Sequence, residues 1–173
     1  CTFAKERGVK KIIYTSTMAV YGEGDWLKET DELNPLSNYS ISKLYGETCV
    51  KQFSQFDIDY TIFRVFNTYG PKQNLIGGRQ GVVAVFLAQV IKGSNIDVTG
   101  SLDRYRDLTY IDDNIDALIL GLDGRTSKEI YNICSKIKIS IKDIIDNIIE
   151  VSNKPKSYSA NLTSDGSFLL THP

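Results

Sequence analysis

Lys10-Lys11-Ile12-Ile13-Tyr14-Thr15-Ser16-Thr17-Met18-Ala19-Val20-Tyr21-Gly22 is the stretch on which the fold turns. Ile12 to Thr15 is a short run of β-branched and aromatic residues between Gly8 and a polar cluster, and it reads as a buried strand. The hydroxyls of Thr15, Ser16 and Thr17 fall at or just past its C-terminal end, which is where open α/β sheets bind ligands. The same run also suits a loop that caps its own backbone. Upstream, Thr2 to Arg7 resembles the last turns of a helix closed by Gly8, so the chain is expected to begin mid-domain. Downstream, Ser16 to Ser37 carries Gly22, Gly24 and Pro35 and is too polar to be core.

The pattern then alternates. Asn38 to Phe56 is helical, with Tyr39, Ser42-Lys43, Gly46, Val50 and Phe53 at spacings of three and four. Asp59 to Phe66 is a second strand, and Asn67 to Gln80 a loop with Gly70-Pro71 and Gly77-Gly78. Val82 to Lys92 reads as a helix closed by Gly93. Short strands are expected near Ile96–Val98, Leu108–Tyr110 and Ile130–Ile133, and a helix over Asp113–Leu122. Ser140 caps a helix that runs to Val151 with Asp143 in its first turn. The tail after Lys154-Pro155 shows no closing element. Strands alternating with helices predict an α/β fold with a mainly parallel sheet.

Composition removes several classes of function. The chain has 173 residues, enough for a real core, and 20 Lys+Arg against 21 Asp+Glu. That balance gives no electrostatic reason to expect nucleic acid or an anionic membrane as partner. The longest apolar run, Val82 to Leu87, falls far short of the roughly 20 residues that span a bilayer. His172 is the single histidine, which removes most hydrolytic triads, Cys-His pairs and His-ligated metals. Cys1, Cys49 and Cys134 lack the spacing of a zinc site, so no metal is expected. Sparse cysteines and an opening without the apolar stretch of a signal peptide suit the cytoplasm.

Three constellations carry chemistry. In Tyr39-Ser40-Ile41-Ser42-Lys43 the tyrosine and lysine share a helix face. A nearby ammonium favours the phenolate, as a tyrosine acting as general base requires. With 10 tyrosines, about one Tyr-x-x-x-Lys is expected by chance, so the motif alone decides nothing. The second constellation is the Ser/Thr run after the first strand. The third is Arg64-Val65-Phe66-Asn67-Thr68-Tyr69-Gly70-Pro71, where Asn67 suits a hydroxyl or phosphate or, equally, an Asx turn.

These three, with Arg106-Asp107-Leu108-Thr109-Tyr110-Ile111-Asp112-Asp113, occur in an order that resembles the extended short-chain dehydrogenase/reductase family. Within it the chain is most similar to the nucleotide-sugar epimerases of the UDP-glucose 4-epimerase type. The resemblance implies NAD as cofactor, a nucleotide sugar as substrate and a homodimer. It also implies a partial Rossmann-type parallel sheet over residues 1–80. Residues 81–173 would then be mainly substrate-binding, with some segments returning to the sheet. Tyr39 matches the catalytic base and Lys43 the lysine that contacts nicotinamide ribose and tunes that tyrosine. Thr17 falls on the catalytic Ser/Thr, with Ser16 beside it as an alternate that also neighbours the cofactor. Phe66 lies where backbone approaches nicotinamide. Asn67 and Arg106 match groups that bind the diphosphate, and Asp97 to Thr99 the backbone near the uridine.

The departures refine the expectation. The family opens with a Gly-x-x-Gly-x-x-Gly turn that holds the cofactor pyrophosphate. The chain lacks it, so the first half of that domain is expected to lie outside this sequence. If it does not, the alternative is an interaction domain on the same scaffold. Val82 and Leu108 stand where the UDP-glucose 4-epimerases have an asparagine and an aromatic, which counts against UDP-glucose itself. Dehydratases and decarboxylases of the family have an acid after the catalytic Ser/Thr, to move a proton at a second carbon. Met18-Ala19 stand there, and neither transfers a proton. Epimerisation at C4 needs only one base and a reversible hydride.

Overall fold

The computed structural model describes residues 2–76, 81–153 and, for the backbone alone, 158–161. The expectations on Cys1, Gly77-Gly78, His172 and the end of the tail lie outside these residues. Along the chain the elements are α1 (Thr2–Glu6), β1 (Lys11–Thr17), α2 (Asn38–Phe53), β2 (Asp59–Val65) and β3 (Asn67–Tyr69). There follow α3 (Val82–Ile91), β4 (Ile96–Thr99), β5 (Tyr105–Tyr110), α4 (Ile111–Leu120), β6 (Glu129–Ile133), β7 (Lys138–Ser140), α5 (Ile141–Ser152) and β8 (Tyr158–Asn161). They form two units, Cys1–Thr68 with Thr109–Lys136, and Tyr69–Leu108 with Ile137–Pro173. The first boundary between them lies at 68/69, within β3, where the sequence suggests loop.

The first unit is built on a parallel sheet of order β1-β2-β6. Its register pairs Tyr14 with Ile62, Ser16 with Arg64, and Phe63 with Tyr131. Side chains alternate along each strand, so Tyr14, Ser16, Ile62 and Arg64 share one face, and Thr61, Phe63 and Tyr131 the other. Phe63 and Tyr131 stack on theirs, ring centres 5.9 Å apart. α2 lies along the other face. It begins at a reciprocal cap in which the Ser37 hydroxyl accepts from Ser40 N–H and the Ser40 hydroxyl from Ser37 N–H.

Two buried residues correct the sequence reading. Val20 and Tyr21, inside the stretch that reads as too polar for core, are 0% and 2% exposed. The chain leaves β1 in a single 3-10 turn, Met18–Tyr21, that folds both back inside. Gly22 then reverses it at φ +79°, against Asn34, where a β-carbon would stand 2.4 Å from a carbonyl oxygen.

In the second unit α5 presents Ile141, Ile144, Ile145 and Ile149, at helical spacing, to a core with Phe86 and Val90 of α3 and Ile96 and Val98 of β4. β4 pairs in parallel with β8, a closing strand in a tail that reads as having none. β5 and β7 pair antiparallel.

Candidate active site

β1 ends at Thr17, whose hydroxyl accepts from Ala19 N–H at 3.3 Å and so caps the 3-10 turn. Its neighbour takes the opposite direction. Ser16 is 3% exposed and donates to Glu47 Oε1 at 2.6 Å. To donate to a substrate or cofactor, Ser16 would have to release that bond. Thr17, half-buried, and Thr15, exposed, are the strand-end hydroxyls that remain for a ligand.

α2 carries Tyr39 in its first turn, 56% exposed. One turn on, Lys43 donates from Nζ to the carbonyl of Thr15 at 2.8 Å. Nζ lies 5.8 Å from the centre of the Tyr39 ring and 5.5 Å from that of Tyr14. Lys43 therefore fastens the start of α2 to the end of β1. An ammonium has three donors, so two are left for a ligand. Tyr14 donates to the carbonyl of Lys43 at 3.3 Å. Burial and the Glu47 carboxylate push its phenol up, which keeps it protonated and a donor.

After β2, Phe66 N–H donates to the carbonyl of Ile133 at 3.0 Å. The Asn67 amide approaches Met18 Sδ at 3.9 Å, which sets the start of β3 beside the turn after β1. The first unit thus gathers Thr17, Tyr39, Lys43, Phe66 and Asn67 about the C-terminal ends of β1 and β2.

The second unit carries the other three expected residues. Asp97 and Thr99 are exposed on β4, but their backbones are engaged. Asp97 N–H donates to Gln89 Oε1 at 3.0 Å, and the Thr99 carbonyl accepts from Arg104. Arg106 on β5 is half-buried and donates to the carbonyl of Tyr105 at 2.8 Å. Burial, with Arg104 beside it, holds its guanidinium below the usual value.

The sequence reading missed a polar network beneath the first group. Arg64, read as a strand residue at the head of the third constellation, is 1% exposed and grips Glu47, 0% exposed, through two bonds of 3.0 and 2.9 Å. A charged residue between Phe63 and Val65 in an apolar strand is the signal that points to a buried partner. A separate cavity of about 610 Å³ runs beside α4 and β6, lined by Phe63, Ala117, Leu120 and Tyr131 among others, and holds none of the expected residues.

Residues 1–134 match the family described as "NAD dependent epimerase/dehydratase family". The dTDP-4-dehydro-6-deoxyglucose reductase of Escherichia coli is 35% identical over 152 residues, 86% of this chain and 48% of that protein. The UDP-N-acetyl-alpha-D-glucosaminuronate decarboxylase of Bacillus cytotoxicus is 30% identical over 154 residues, 85% of this chain and 48% of that protein. Among solved structures, UDP-glucose 4-epimerase of Thermus thermophilus complexed with NAD superposes with a TM-score of 0.83 at 27% identity, covering 95% of this chain and 55% of that one. The chain spans about half the length of the curated relatives it matches.

Proposed function

The chain belongs to the NAD dependent epimerase/dehydratase family, and on that premise we propose that this protein epimerises a nucleotide sugar of the UDP-hexose kind at C4 through a 4-keto intermediate. The observation that carries this reading is local. Lys43 anchors α2 at the end of β1, with Tyr39 one turn before it. Met18 and Ala19 follow Thr17, so no acid stands there to move a proton at a second carbon.

NAD, when bound, supplies the acceptor and donor of the C4 hydride. The two remaining Lys43 donors and the exposed Tyr39 hydroxyl suit its nicotinamide ribose, with the Phe66 backbone alongside. Tyr39 takes the proton of the sugar 4-hydroxyl and later returns it. Thr17 holds the same oxygen by hydrogen bond. The Asn67 amide suits a phosphate oxygen, and the Arg106 guanidinium, in the second unit, has the paired donors for a diphosphate. Asp97 to Thr99 lie by the base. A homodimer in the cytoplasm goes with the reading.

The test is product analysis of a UDP-hexose incubated with the protein expressed from its whole reading frame. Tyr39→Phe should lower kcat by about 10²–10⁴-fold with KM nearly unchanged. Wild-type turnover in that variant overturns the assignment. The 35% identity to a reductase supports a second reading, reduction of a 4-keto sugar. Reduction consumes one reduced nicotinamide per turnover and epimerisation none, so the same assay separates them.

A further inference from the structure

Glu47 accepts three hydrogen bonds while fully buried. Ser16 Oγ and Arg64 Nε donate to Oε1 at 2.6 and 3.0 Å, and Arg64 Nη2 to Oε2 at 2.9 Å. Arg64 continues the chain, donating from Nη1 to the Tyr21 hydroxyl at 2.9 Å and to the carbonyl of Glu29 at 3.2 Å. Tyr21 in turn donates to Asn132 Oδ1 at 2.7 Å. The network thus runs from β1 through α2 and β2 to β6.

Its members alternate with the candidate site. Ser16 precedes Thr17. Glu47 follows Lys43 by one helical turn and Tyr39 by two, so the three share a face of α2. Arg64 stands two residues before Phe66. Tyr21 ends the turn that Thr17 caps. Stability alone does not account for such a pair. Two buried charges cost much desolvation, and apolar residues of similar volume are often as good or better. What a two-point guanidinium–carboxylate contact adds is fixed geometry.

We propose that Glu47 is a positioning residue, with Ser16 as its contact on β1. Resting on the functional reading above, the buried carboxylate sets the distance between the end of β1 and α2, and hence between Thr17 and the Tyr39 hydroxyl. Glu47 touches neither substrate nor cofactor; it acts through the elements that do.

The experiment compares Glu47→Gln, Ser16→Ala, Glu47→Leu and the double variant Glu47→Leu/Arg64→Met, in the protein from the whole reading frame. Readouts are kcat, KM and the urea midpoint. Folded Glu47→Gln should keep KM within about twofold and lose up to about 100-fold in kcat, the scale of a ~1 Å misplacement. Ser16→Ala leaves the Glu47–Arg64 pair intact and should lose less in kcat, with a smaller fall in midpoint than Glu47→Leu; it decides the matter if Glu47→Gln does not fold. The double variant should recover the midpoint that Glu47→Leu loses, but not kcat. Recovery of kcat together with the midpoint overturns the proposal, as does near-wild-type kcat in folded Glu47→Gln. A Ser16→Ala loss as deep as that of Tyr39→Phe overturns it too, by making Ser16 itself reactive. Tyr39→Phe run alongside separates the two levels. Wild-type turnover there overturns the functional reading and this proposal with it. Loss there beside an unimpaired Glu47→Gln overturns the positioning role alone.

Discussion

Gly46 of α2 lies so close to Tyr14 of β1 that a β-carbon at 46 would stand 2.0 Å from the phenolic oxygen and 2.4 Å from Cζ. This contact limits how near the helix bearing Tyr39 and Lys43 can come to the strand bearing Thr17. Gly46→Ala improves helix propensity by about 1 kcal/mol. The overlap outweighs it, since the ring must move and its bond to the Lys43 carbonyl breaks. Overpacking of this kind costs about 1–3 kcal/mol. A net fall in stability is expected by urea denaturation, and adding Tyr14→Val should restore part of it. Wild-type stability in Gly46→Ala would show that the contact is loose.

Ser140 sets the start of α5. Its hydroxyl accepts from Asp143 N–H at 3.0 Å and donates to the Asp143 carboxylate at 2.6 Å. Ser140→Ala should cost about 1 kcal/mol, the usual loss at such a cap, and Ser140→Thr, which keeps both the acceptor and the donor, much less. Equal losses in the two variants would place the effect elsewhere.

Asp59 gives a pH dependence with a definite sign. Burial alone would raise its carboxyl. Ser127 and the backbone N–H groups of Tyr60 and Lys128 donate to it, Lys11 lies 3.6 Å away, and together they hold it below the ordinary value. A depressed carboxyl contributes stability that is present above its unfolded value of about 3.9 and is lost as pH falls through the folded value. The gap in melting temperature between wild type and Asp59→Asn should therefore be widest near neutrality and close below about pH 4. A gap that persists unchanged at pH 3 would remove the ionised carboxylate from the explanation.

How far the sequence reveals the site depends on the range of each interaction. Tyr39 and Lys43 are legible because helical spacing alone puts them on one face. Their anchor is not: Lys43 binds a backbone carbonyl, at Thr15, which leaves no mark on composition. β1, β2, α3 and α5 stand out as apolar runs or periodic stripes. β7 and β8 do not, being short strands in polar segments that pairing, and not side-chain pattern, holds in place. Arg64 reads as a strand residue heading a site motif, and Ser16 as the alternate to Thr17. Each turns inward because of a partner, Glu47, that lies 17 residues from one and 31 from the other.

Arg106 offers the last expectation, and its free-state electrostatics argue for it. The guanidinium is half-buried, its value is lowered by desolvation and by Arg104, and it remains protonated at neutral pH. Desolvation is the larger of the two causes, and an anion beside a partly desolvated guanidinium offsets it. A diphosphate has the charge and the paired oxygens for that place. Arg106→Ala should raise KM for the nucleotide sugar by about 10- to 100-fold, since hydrogen bonds to charged groups contribute about 1.5–3 kcal/mol. The affinity for NAD alone should not change. Arg106→Lys keeps the charge but loses the two-point contact, and should fall between. An unchanged KM with a lowered midpoint would make Arg106 a structural residue of β5 and remove it from the diphosphate site.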